Sequence, residues 1–256
     1  MNETKVQDGG FIDPMNPYGF KNARTVTDPI DDIEPTQKPR IEASEKWLVW
    51  DIETAPQPEE QLLASMPKFE PAANLKDPEK IKASIEEKKA RYIAQAALTP
   101  FTGRVIAVGF QFSHEPEVLI HGEDEYSVVS RACMILTERM LAREQCVGFN
   151  IHGFDLPFLR FRAMVHKIPT PHWINRAGRA YWTEKFRDIL PELVMGRDFT
   201  GYSVGAVGNA FGLGGKNGDG ALFYETYKKD KKAALDYLSR DLTLTGEIAK
   251  RMGVIV

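Results

Sequence analysis

Hydrophobic and polar positions along this chain change their rhythm several times, and each rhythm predicts a different element. The densest apolar run is Trp47-Leu48-Val49-Trp50, followed by Asp51-Ile52-Glu53-Thr54-Ala55. Consecutive apolar residues read as a strand buried on both faces, here over 46–54. Residues 103–113 predict a second strand and 117–121 a third, joined by His114-Glu115-Pro116. Strands this close in sequence are antiparallel hairpin partners. Over 126–143 the rhythm becomes helical, with Val129, Ala132, Cys133, Leu136, Met140 and Leu141 apolar. Residues 145–149 read as a short strand, 186–190 as a strand end and 191–195 as a helix. Another helix is predicted over 202–211, closed by Gly212. The last spans 231–252, with Leu238, Leu242, Leu244 and Ile248 able to pack on a sheet. Three strands, a helix and a fourth strand predict an α/β fold, a mixed sheet with helical crossovers.

Two stretches fall outside these rhythms. Residues 1–44 are polar, carry Pro14, Pro17, Pro29, Pro35 and Pro39, and read as an extended or disordered arm. Phe11, Tyr18 and Phe20 are unusual in a pure spacer and open a second reading, docking on the domain or on a partner. Residues 57–100 read as a helical insertion, with a helix over 77–97 started by Asp77 and Pro78. Its lysines and Arg91 make either a solvated face or a flap over a substrate groove. The loop 169–185 mixes His172, Trp173, Arg176, Arg179, Tyr181, Trp182 and Lys185, which suits base stacking and phosphate contact or the packing of a long loop. The Gly-rich stretch 214–220 lacks the spacing of a phosphate-cradling loop.

Composition narrows the classes. The chain has 256 residues, a formal charge of -3 and a pI near 6.0. A protein that coats nucleic acid without regard to sequence is far more basic, so any such contact is local. Cys133 and Cys146 form no metal spacing and no disulfide framework, as in a reducing cytosol. No signal pattern opens the chain and no apolar run reaches about 18 residues, so a soluble, cytoplasmic protein without membrane contact is expected.

The candidate chemistry lies in the acids. Asp51 and Glu53 are two apart on a core strand, so both carboxylates leave one face side by side. Like charges so close repel, and a divalent cation is the simplest compensation. Asp155, at a predicted strand-to-helix junction before Pro157, reads alone as a helix cap. His152 reads as a loop histidine rather than a ligand. Tyr237 and Asp241 share a face of the last helix, where Asp241 alone reads as the exposed end of a surface pair near Arg240 and Lys250.

Together the motifs Asp51-x-Glu53, Asn150-x3-Phe154-Asp155 and Tyr237-x3-Asp241 resemble the tyrosine branch of the DEDD 3′–5′ exonucleases. The histidine branch would need His five residues before Asp241, where Asp236 stands. The nearest likeness is to stand-alone enzymes similar to the proofreading domain of family B DNA polymerases, over about residues 46–252. The resemblance implies a ribonuclease H-like fold over 45–256. It implies that Asp51, Glu53, Asp155 and Asp241 bind two Mg²⁺ or Mn²⁺ ions, with Asp51 bridging them. Glu53 and Asp241 would hold the ion that carries the attacking water, and Asp155 the second. Tyr237 would orient that water, since a phenol with a pKa of about 10 is a poor base at neutral pH. Thr54, Asn150 and Phe154 match positions that hold the terminal nucleotide or the strand behind it.

The function so implied is metal-dependent release of 5′-mononucleotides from the 3′ end of single-stranded DNA, serving repair or proofreading in trans. The same motifs fit an exoribonuclease trimming RNA ends, because sugar discrimination lies in contacts to the 2′ position. A non-catalytic nucleic-acid-binding module is a third reading, and it predicts a lost ligand. A replication or repair protein is the partner expected for the arm.

Overall fold

The computed structural model describes residues 45–169, 186–195, 201–215 and 220–256. The expectations for the arm and for nearly all of the aromatic and basic loop 169–185 lie outside the described residues, as do residues 216–219 of the Gly-rich stretch. β1 (Trp47–Pro56) is the middle of a five-stranded sheet of order β3-β2-β1-β4-β5. The strand is two residues longer at its end than the apolar run predicts. Its alternation feeds two cores. Leu48, Trp50 and Ile52 enter one, and Trp47, Val49 and Ala55 enter the other.

β2 (Gly103–Phe112) pairs antiparallel with β1 along its length, from Leu48↔Phe112 to Pro56↔Gly103. β3 (Val118–His121) forms the expected hairpin with β2. On the other side of β1 lies β4 (Gln145–Gly148), parallel and paired only from Trp47↔Gln145 to Val49↔Val147. β5 (Phe186–Asp188) runs parallel to β4. The sheet is therefore mixed, as the order of elements predicts.

The insertion after β1 holds α1 (Glu59–Ala64), which anchors through Leu62 and was not expected, and α2 (Pro78–Ala94). Asp77 caps α2 by accepting from the Glu79 amide, with Pro78 in the first turn. α2 stops three residues short of its expected end, a 3₁₀ turn follows at Ala96–Leu98, and none of its residues is buried. α3 (Glu125–Leu141) and α4 (Asp155–Val165) cover the first core. After β5 come α5 (Ile189–Leu193) and α6 (Val204–Ala210), which ends through Gly212 at φ +71°. α7 (Phe223–Lys229) was not foreseen. α8 (Lys231–Arg251) is capped by Asp230 and ends in Lys250 and Arg251, charges suited to a helix C-terminus. α6, α7 and α8 cover the second core. Among the described residues, no helix is long and apolar enough to cross a membrane.

Candidate active site

The site forms where the sheet parts. β4 leaves β1 after Val49, so among the described residues the later part of β1 has no strand beside it on that side. The amide of Ile52 instead donates to Asp155 Oδ1, at 3.0 Å. A carboxylate from the start of α4 thus stands where a neighbouring carbonyl would. Ligand crevices in α/β sheets open at such places, beyond the ends of parallel strands. The reading of Asp155 as a helix cap does not hold. Phe154 occupies the cap position without a side-chain bond, and Asp155 spends its oxygen on β1.

Asp51 and Glu53 leave β1 on the face that α8 covers. Their partners on β2 are Gly109 and Ala107, both small. A Cβ at Gly109 would lie 2.6 Å from Leu242 Cδ1 and 3.1 Å from Leu238 Cγ. The bare glycine is what lets α8 settle close enough for Asp241 to reach the two acids. Asp51, Glu53 and Asp241 each present an oxygen, and all lie within 4.8 Å of one another. Glu53 is 7%, Asp241 4% and Asp155 2% exposed, while Asp51 is half-buried. Burial of Asp241 overturns its reading as an exposed surface pair.

Burial, and then the charge and contact of Asp51 beside it, push the Asp155 carboxyl well above the ordinary range, against the pull of the Ile52 amide. Asp51 is therefore the acid common to both groupings, with Glu53 and Asp241 on one side and Asp155 on the other. Hard carboxylate oxygens, close-set, buried and mutually repelling, fit Mg²⁺ or Mn²⁺.

The four acids share a cleft of about 290 Å³, whose walls include Phe149, Asn150, Phe154, Leu190, Tyr202 and Gly220. Of the residues expected to hold substrate, Asn150 and Phe154 are in it. Thr54 is not. A bulge separates Glu53 from Thr54, and the Thr54 hydroxyl donates to the Ala97 carbonyl of the insertion at 2.7 Å. Tyr237 is buried one turn before Asp241 with its ring against Phe223. It does not line the cleft. A Cβ at Gly220, which does, would lie 3.6 Å from the Tyr237 hydroxyl, so that hydroxyl sits just behind this bare stretch of wall. His152 is the expected loop histidine, its Nε2 3.0 Å from the Phe186 carbonyl.

One acid was missed. Asp188, at the end of β5, accepts from the amides of Asn150, His152 and Leu190 at 2.8, 2.9 and 3.1 Å. Burial raises its carboxyl above the ordinary range although the three amides pull it down. Its signal was present: Phe186-Arg-Asp188 sets an acid on a predicted strand, as Trp50-Asp51 does.

Residues 121–243, just under half of the chain, match a family model described as a predicted 3′–5′ exonuclease related to the exonuclease domain of PolB. The match takes in Asn150, Phe154, Asp155, Tyr237 and Asp241 and begins after Asp51 and Glu53. Among solved structures, the family B DNA polymerase of the hyperthermophilic archaeon Pyrobaculum calidifontis matches 81% of this chain, with a TM-score of 0.54 and 18% identity. The chain corresponds to 24% of that polymerase, and at this identity the likeness is one of fold. A search of the curated proteins found no match. Sequence over 121–243 and fold over most of the chain agree, and this chain is similar to the predicted 3′–5′ exonucleases related to the exonuclease domain of PolB.

Proposed function

We propose that this protein removes mononucleotides from the 3′ end of single-stranded DNA with the help of two divalent cations. The observation that carries the reading is the convergence of Asp51, Glu53, Asp155 and Asp241, from β1, α4 and α8, in one cleft. When bound, two Mg²⁺ or Mn²⁺ ions supply an activated water and neutralise charge at the leaving oxygen. Asp51 lies beside both groupings of acids and would serve both ions. Glu53 and Asp241 would hold the ion on the side of the attacking water, and Asp155 the ion on the side of the leaving oxygen. Tyr237, whose hydroxyl sits behind the cleft wall at Gly220, would orient that water once the wall there gives way. Phe149, Phe154 and Tyr202 give the cleft aromatic walls. Such walls suit the stacking of unpaired bases and support a single-stranded end as substrate. Repair or proofreading is the setting in which such trimming would serve.

The test is digestion of a 5′-labelled DNA oligomer and its RNA counterpart in Mg²⁺, in Mn²⁺ and in chelator. A metal-dependent ladder that shortens the DNA from its 3′ end is expected. In Asp51→Ala the rate should drop at least about a hundredfold, since losing a ligand costs no less than losing the group that supports one, about 10–100-fold. Faster loss of RNA would assign the RNA substrate instead. Intact DNA and RNA in every metal would overturn the enzyme.

A further inference from the structure

The turn between β4 and α4 carries three of the residues that face the cleft, and its shape needs an explanation. Asn150 has φ +63°, a left-handed conformation that L-residues seldom adopt. Gly153 follows beneath the Asn150 side chain, which would have to shift to admit a Cβ, since that atom would lie 2.4 Å from Asn150 Oδ1. The turn then feeds α4 directly. Gly153 and Phe154 donate to the Asn150 carbonyl, and Leu156 donates to the Ile151 carbonyl. Whatever fixes Asn150 and His152 therefore fixes Asp155.

We propose that Asp188 is the positioning residue for this turn, pinning Asn150 and His152 so that Phe154 and Asp155 meet the acids of β1. This rests on the exonuclease reading for its consequence in catalysis. Asp188 is 3% exposed and comes from a different strand, 36 to 38 residues away in sequence. One oxygen takes the Asn150 and Leu190 amides, and the other takes the His152 amide. A carboxylate alone offers acceptors on both oxygens. An asparagine would set an amide donor against at least one backbone donor. A serine would keep only the cap of α5, because capping needs a single short oxygen acceptor.

Two variants separate these duties. Asp188→Ser retains the α5 cap and releases the turn, and Asp188→Asn retains the size and spoils part of the set. Mn²⁺ affinity of the full chain is measured by calorimetry, beside kcat and KM on single-stranded DNA and a thermal melt. Both variants are expected to bind Mn²⁺ about tenfold more weakly and to lose about tenfold or more in kcat per folded molecule, the effect of releasing an outer support of a metal site. His152→Ala keeps its backbone amide and should bind Mn²⁺ as the wild type does. Unchanged Mn²⁺ affinity in folded Asp188→Ser and Asp188→Asn would overturn the proposal. So would activity lost only in step with the unfolded fraction. Should neither variant fold, amide exchange in the wild type decides. Saturation with Mn²⁺ should slow exchange at Asn150 and His152, and unchanged rates would overturn the role. The Mn²⁺ titration reads Asp188 even if no oligomer is trimmed, so failure of the nuclease reading shows in the ladder alone. A wild type that binds no Mn²⁺ would overturn both.

Discussion

The hydroxyl of Thr54 turns away from the acids beside it, toward Ala97. Its neighbourhood in sequence suggests a substrate contact, but the bulge after Glu53 gives it a structural task. Thr54→Val should cost about 0.5–1.5 kcal/mol in a urea titration and leave KM for single-stranded DNA unchanged. A raised KM at full stability would return Thr54 to the substrate. Legibility at this scale follows the range of the contact. Asp51 and Glu53 are readable because strand alternation alone sets them side by side. The bond from Ile52 to Asp155 spans 103 residues, and those to Asp188 span 36 and 38. No local pattern announces either bond, so Asp155 alone reads as a cap, and the acid of Phe186-Arg-Asp188 does not show what it holds.

Among the elements, α4 is held by a buried acid on α3. Glu125 accepts from Arg162 at 2.8 and 2.6 Å and from the Val105 amide, with His166 Nε2 at 2.7 Å. Burial pushes the Glu125 carboxyl up, but Arg162, His166 and the Val105 amide outweigh it and hold it below its ordinary value of 4.5. The charged form is favoured in the fold, so its stabilisation is full above pH 4.5 and disappears as pH falls through the lower folded value. Urea midpoints should fall over that acid window. Glu125→Gln should flatten the window and cost about 3–5 kcal/mol at neutral pH by leaving Arg162 buried without its counter-charge. The second close fit is α8 on β2 at Gly109. Gly109→Val should destabilise by about 1–3 kcal/mol through overpacking. It should also weaken Mn²⁺ binding in calorimetry, because Leu242 and Asp241 ride on the same helix; wild-type affinity would count against the notch. Long elements were legible because their periodicity repeats. Among the short helices, α6 was announced by its closing Gly212, whereas α1 and α7, of 6 and 7 residues, depend on tertiary contacts such as those of Leu62, Phe223 and Tyr227.

For the molecule as a whole, both cores meet at β1, and the acids come from the middle of β1, from α4 and from α8. Mixed-sheet architecture was legible from the order of strands and helices, while the parting of β1 from β4 was not, since pairing length is a tertiary outcome. On the proposed function, a cation held by elements so far apart would tie the fold together. Mn²⁺ at a hundred times its dissociation constant should raise the melting temperature by roughly 5–10 °C, since binding then adds about 2.7 kcal/mol. Asp51→Asn should lose most of that shift; an equal rise in the variant would place the cation elsewhere.

The first and last acids of the cleft stand at positions 51 and 241, on opposite ends of the described domain. A growing chain therefore emerges from the ribosome with most of its sheet made and its ligand set still incomplete. On the proposed function, the half-synthesised protein is harmless to the nucleic acids around it, and so are fragments left by proteolysis between β1 and α8. On that reading, hydrolysis waits until translation has delivered α8.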